Sequence, residues 1–233
     1  MAIKPILFST PMVQAILEGR KTQTRRVIKS KHESGLFQIG KTMDGVITEI
    51  TSLDWDERPK NDCCNDIKPI ANIGDIFWVR ESWLQIHKDV EFEGRFSEFV
   101  YRANSIENEN KYGHIKNPVG KRFIDSWKWK PSIYMPKEAA RIFLRVTGIR
   151  VERLHEISEA DAISEGIEKL PVWKNRVVEN LYNNYMKDGR GPQTPRLSFF
   201  SLWESINGKE SLASNPWVWV YDFTKVEKPA NFI

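Results

Sequence analysis

Apolar and polar positions change period several times along this chain, and each change marks an element. Residues 3–8 form an apolar run that predicts a strand. Ser9 and Thr10 are N-cap types, Pro11 suits a first helical position, and Gly19 suits a helix stop. Between them Met12, Ala15 and Ile16 share one side, with Val13 and Leu17 beside it. That spacing predicts a short amphipathic helix. The polar run 20–26 then leaves the helix as a turn. Residues 31–72 are weakly patterned, with alternation only around 46–50. Gly74-Asp75 signals a turn, and 76–81 reads as a strand with Phe77, Val79 and Glu81 on one face.

Residues 85–130 are polar and irregular, and read as an insertion or long loop. A strong strand pattern returns at 140. Ile142, Leu144 and Val146 alternate, Gly148 marks a bulge or bend, and Ile149, Val151 and Arg153 resume. Ser158 with Asp161 opens a short helix that stops at Gly166. Trp173, Val177, Leu181 and Tyr185 step by four and predict an inserted helix. Phe199, Trp203 and Ile206 predict another, stopped by Asn207-Gly208. Residues 217–223 are the last strand, and the tail from Lys225 is expected to fray. Strands and helices do not alternate regularly. The pattern predicts an α+β fold, a small mixed β-barrel with flanking helices, and argues against a doubly wound parallel sheet. A single domain over 1–225 is expected, with insertions near 31–72, 85–130 and 167–196 and a C-terminal tail at 226–233.

Composition narrows the class. In 233 residues, 40% are hydrophobic and 28% charged, with nine Trp and twelve Phe, enough for a real core. No apolar run reaches the ~20 residues of a membrane span, and no secretory leader is evident. Cys63 and Cys64 are adjacent and unsuited to a structural disulfide or a zinc site. These features predict a cytoplasmic protein with no membrane partner. The net charge is +4, but residues 1–31 hold seven basic residues against one acid. That segment is +6 and leaves −2 for the rest. A cationic patch on a near-neutral body suits phosphate, although a solvated basic loop explains it equally.

The richest polar segment is Gly19-Arg20-Lys21-Thr22-Gln23-Thr24-Arg25-Arg26. Lys21 offers a compact cation, Thr22 and Thr24 offer hydroxyls, and Arg25 and Arg26 offer planar forks for phosphate or a base. Cations just past a helix C-terminus are also favoured by the helix dipole, which accounts for Arg20 and Lys21 alone. A second segment runs from Gly74 to Trp83 and carries Arg80 and Glu81. A Lys–Glu pair at a pocket mouth can move a proton, and a hydroxyl beside it can act as nucleophile. The competing reading of Glu81 is a salt bridge closing a strand end. His32, His87, His114 and His155 lack metal spacing, so neither metal nor cofactor is expected. Trp127-Lys128-Trp129-Lys130 suits base stacking, and equally suits a strand with one buried Trp face.

These segments, continued by Pro131-Ser132-Ile133-Tyr134-Met135-Pro136, by residues 141–166 and by Leu202-Trp203-Glu204-Ser205-Ile206-Asn207, resemble the ASCH family of the PUA-like superfamily. The resemblance is closest to its phage and prophage branch. It implies a PUA-like β-barrel with a cleft for RNA or a modified nucleoside. Small bacterial relatives are amidohydrolases that deacetylate N(4)-acetylcytidine. Their Lys, Thr and Glu fall on Lys21, Thr24 and Glu81. Arg20, Thr22, Arg25, Arg26, Arg80, Trp83 and Tyr134 would then contact substrate or nucleic acid. Three readings stay open: a nucleoside amidohydrolase, a non-catalytic nucleic-acid-binding module, and a phage structural or anti-defence interaction protein. The oligomeric state is not set by the residues.

Overall fold

The computed structural model describes residues 1–29, 36–41, 47–53, 67–90, 94–112, 128–170, 181–186 and 194–232. The fold is α+β. Among the described residues the strands are β1 (Ile3–Leu7), β2 (Gln23–Val27), β3 (Leu36–Lys41), β4 (Ile47–Leu53), β5 (Ile76–Arg80), β6 (Trp83–Val90), β7 (Gly94–Tyr101), β8 (Phe143–Arg153) and β9 (Trp217–Val226). The α-helices among them are α1 (Thr10–Leu17), α2 (Ser105–Tyr112), α3 (Glu159–Ser164), α4 (Pro195–Asn207) and α5 (Lys209–Ala213). A mixed five-stranded sheet has the order β1-β5-β8-β9-β2, and β3-β4 and β6-β7 are two-stranded ladders. Among the described residues this order has two ends, β1 and β2, and does not close into a barrel. The chain divides into two compact units, each assembled from separate segments.

The first unit comprises 1–19, 75–145 and 224–233. β1 pairs parallel with β5, and β5 pairs antiparallel with the start of β8. Ile76, Phe77, Trp78 and Val79 of β5 are all buried, so the strand is covered on both faces rather than one. Each such side chain contributes roughly 1.5–3 kcal/mol by leaving water. α1 buries Val13, Ala15 and Ile16, as its spacing predicts, and Gly19 follows it at φ 77. The segment expected to be an irregular loop from 85 onward instead continues the β6–β7 hairpin, with Trp83 opposite Tyr101, followed by α2. The C-terminal segment is tied down, contrary to expectation. Phe232 is 7% exposed, with its ring 4.9 Å from Phe143 and 5.8 Å from Trp78.

The second unit comprises 20–74 and 146–223. Here residues 23–26 of the run expected as a turn belong to β2, paired antiparallel with β9, while Lys21 makes an isolated bridge with Glu165. Val218, Val220 and Tyr221 of β9 are fully buried. β8 continues through Gly148 without leaving the strand. A Cβ there would lie 2.8 Å from Asp222 Oδ2, so the glycine leaves room for that carboxylate. Ser158 caps α3 through Asp161 N–H, and Gly166 follows it at φ 92. Thr194 caps α4, and Gly208 follows it at φ 86. The helix expected over 173–185 is not formed in its described part: Tyr182 makes an isolated bridge with Lys169. Trp173 and Val177 lie outside the described residues, as do Cys63 and Cys64.

Candidate functional site

β2 carries the polar side chains singled out above, and its first ladder residue follows a backbone clamp. Thr22 N–H donates to Ser164 O at 2.8 Å, and Lys21 bridges Glu165 in antiparallel fashion. Lys21, Gln23, Thr24, Arg25 and Glu165 are all buried, at 1–4% exposure. Burial of that much charge requires partners, and the structure supplies them. Lys21 Nζ donates to Glu165 Oε2 at 2.6 Å, Glu165 O at 2.8 Å and Gln23 O at 2.9 Å. Those are acceptors enough for the three protons of an ammonium. Burial pushes the Lys21 ammonium below its usual 10.5, Glu165 opposes, and Arg26 and Arg25 add to the lowering.

Arg25 extends the cluster. Its Nε and Nη2 donate to Glu152 Oε1 at 2.9 and 2.5 Å. Its Nη1 donates to Gln23 Oε1 at 2.5 Å and to Glu165 Oε1 at 3.1 Å. Asp161 lies 3.5 Å from Nη2. Arg150 closes the outer side, donating to Glu152 Oε2, Asp222 Oδ2 and Asp161 Oδ1 at 3.0–3.2 Å. Gln23 Nε2 donates to Asp161 Oδ1 and Asp222 Oδ1 at 3.0 and 2.7 Å. Burial raises the Asp161 carboxyl, but hydrogen bonds from Gln23 and Ser158 and the charges of Arg150 and Arg25 outweigh it and hold it below 3.8. Thr24 Oγ1 accepts from Arg26 Nη1 at 2.8 Å, leaving the hydroxyl proton free to be donated elsewhere.

The cationic segment is therefore not an open patch. Lys21 and Arg25 are paired internally, and Lys4 lies 3.8 Å from Asp75. The expectation of exposed phosphate-binding forks assumed solvated side chains, and Arg25 is not one. Within the run expected as a turn, Thr22 N–H is already bonded to Ser164 O, and the strand begins at Gln23. Thr22 itself is exposed and Arg20 is half-buried, donating to Gly166 O at 2.8 Å.

Glu81 lies in the first unit and has a cation of its own. Arg141 Nε and Nη2 each donate to one Glu81 oxygen at 2.9 Å, a bidentate pair. The Arg141 guanidinium stacks 3.9 Å from the Tyr101 ring centroid. Burial lifts the Tyr101 hydroxyl to about 12, with Arg141 opposing and Glu81 reinforcing, and the hydroxyl donates to Ala139 O at 2.7 Å. The Lys–Glu pair expected from sequence is thus found as Lys21 with Glu165, while Glu81 belongs to Arg141. Glu165 escaped the sequence reading because it precedes the Gly166 stop as an ordinary helix-end residue. Nothing in its spacing ties it to Lys21.

The remaining candidates also fall in the first unit. Arg80 donates to Ile133 O and stands 5.5 Å over Trp78. Trp83 is 5% exposed, with Lys130 Nζ 4.8 Å from its ring, so it packs as core rather than as a stacking platform. Tyr134 is 68% exposed. Among the described residues no group of three or more His, Cys, Asp or Glu could hold a metal ion, and no helix is long and apolar enough to cross a membrane. Comparison with family models gave no match, and comparisons with curated proteins and with solved structures gave none either.

Proposed function

We propose that the chain is an ASCH-type protein of the PUA-like superfamily that acts on RNA or a modified nucleoside, hydrolysing an amide such as that of N(4)-acetylcytidine. The observation that carries the reading is the buried Lys21–Glu165 pair, with Lys21 just before the strand that carries Thr24. A buried ion pair is weak support for stability, because apolar residues of similar volume often serve as well. Its retention inside a dense charged network favours a chemical role.

In this reading Thr24 Oγ1 attacks the acyl carbon, and Arg26 Nη1 steadies the oxygen as it loses its proton. Glu165 takes that proton. The three Lys21 protons are held by Glu165 and Gln23, so one of these bonds must be released. Lys21 then delivers that proton to the departing cytidine nitrogen as the C–N bond breaks, and regains one from Glu165 across their 2.6 Å contact. Water then cleaves the Thr24 ester, releasing acetate. Incubation with N(4)-acetylcytidine tests this by the release of cytidine. Lys21→Met and Glu165→Gln are expected to lower kcat/KM by roughly 100-fold or more, the scale of lost acid–base catalysis. Loss of activity in Glu81→Gln with Glu165→Gln unaffected moves the proton-accepting role from Glu165 to Glu81. Turnover untouched in all three variants ends the proposal.

A second reading, a binding module that cleaves nothing, is favoured by exposed Tyr134, which follows the residue whose carbonyl holds Arg80. An exposed ring suits base stacking. It predicts RNA affinity that falls with salt and with Tyr134→Ala, without turnover.

A further inference from the structure

Arg25 sits at the centre of the charged network, and its side chain has no exposure to solvent. We infer that Arg25 is a positioning residue, which holds Glu165 by Oε1 so that Oε2 stays on Lys21 Nζ. The inference rests on the reading of Lys21 and Glu165 as the reactive pair and extends it to what aims that pair.

The geometry carries the argument in two steps. A glutamate carboxylate turns about its last bond unless both oxygens are held. Here Oε2 receives Lys21 at 2.6 Å and Oε1 receives Arg25 Nη1 at 3.1 Å. Arg25 is itself fixed from three sides. Glu152 Oε1 accepts from Nε and Nη2, Gln23 Oε1 accepts from Nη1, and the Phe199 ring of α4 lies 5.7 Å from the guanidinium carbon. The Gln23 amide cannot turn over without losing its own donations to Asp161 and Asp222. A planar fork can hold Glu152, Gln23 and Glu165 together, and a single ammonium on a flexible stem cannot.

Charged and titratable groups from four elements surround the network that holds this pair. Glu165 ends α3, which also supplies Asp161. β2 supplies Arg25 and Arg26, β8 supplies Glu152 and Arg150, and β9 supplies Asp222 and Tyr221. Of these, Arg25 and Arg26 repel the Lys21 proton and Glu165 attracts it.

The test uses the full-length chain with Arg25→Gln and Arg25→Lys, and reads two quantities. The first is independent of catalysis: NMR of the Lys21 ammonium, followed for proton exchange and for its titration. Both variants are expected to speed ammonium exchange by roughly tenfold or more, since Glu165 is no longer held on both oxygens. Arg25→Gln is also expected to move the Lys21 titration to higher pH, because a repelling cation is gone. The second quantity is turnover of N(4)-acetylcytidine. kcat is expected to fall by ~10-fold or more with KM within ~3-fold, and the pH profile of Arg25→Gln to move upward with the Lys21 titration. Unchanged ammonium exchange in a folded Arg25→Lys protein overturns the inference, as does a kcat loss with both the Lys21 titration and the pH profile unmoved in Arg25→Gln. Should Arg25→Gln not fold, Arg25→Lys decides alone through ammonium exchange. Absence of turnover in the unaltered chain ends the catalytic reading, while the NMR result still decides whether Arg25 holds the pair.

Discussion

Single residues in this protein are defined by what sits opposite them. Gly148 is the sharpest case. The sequence marks it as a bulge or bend, β8 continues through it, and a Cβ there would lie 2.8 Å from Asp222 Oδ2. Gly148→Ala is expected to push the Asp222 carboxylate off Arg150 and to cost about 1 kcal/mol, since that contact is partly exposed. Thermal melting checks this, and the cost should shrink in an Asp222→Ala background if the clash is its source. The same rule separates what was legible at Lys21 from what was not. Its residue type and place after α1 marked it as a candidate. Its carboxylate could not be named, because Glu165 lies 144 residues away and no local period connects them.

Elements were legible where caps and periods agreed. α1, α3 and α4 carry Ser9, Ser158 and Thr194 at their N-caps and glycines beyond their ends, and each forms where the sequence predicts. Elements were missed where pairing, not period, makes the strand. β2 is polar at almost every position and was read as a turn, but internal carboxylates satisfy its side chains and β9 satisfies its backbone. β6 and β7 were missed for a related reason: Gln85, His87, Lys88 and Asp89 break the alternation that would mark a strand. The end of α3 matters most for the site. Glu165 N–H donates to Asp161 O and Gly166 N–H to Ile163 O, both at 2.8 Å, and Gly166 then takes φ 92. An L side chain resists that conformation. Gly166→Ala is expected to cost about 1 kcal/mol in stability. If the proposed amidohydrolysis holds, turnover of N(4)-acetylcytidine is expected to fall further than stability accounts for, because the helix end aims Glu165. A variant with lowered melting temperature and full kcat would separate the cap from the site.

At the scale of the molecule, burial raises tyrosine hydroxyls in both units, Tyr185 of the second among them. Tyr101 in the first unit and Tyr221 in the second are both pushed up to about 12 by burial, Tyr221 against hydrogen bonds from Ile70 and Ala71 and the charge of Arg26. A hydroxyl raised in the folded state contributes stability that is complete below pH 10 and is lost as pH rises through 12. Alkaline titration of phenolate absorbance is therefore expected to show a late fraction near pH 12, coincident with loss of the near-ultraviolet circular dichroism. Ionisation of all six tyrosines near pH 10 in a folded chain would contradict it. The two-unit arrangement was not legible, because each unit joins segments far apart in the sequence. That interleaving bears on synthesis. Gln23 must wait for Asp222, 199 residues further on, before its amide is satisfied, and β2 waits equally long for its ladder with β9. Until the ribosome has delivered that strand, the edge of β2 and its row of cations remain hydrated and open to whatever anion the nascent polypeptide meets.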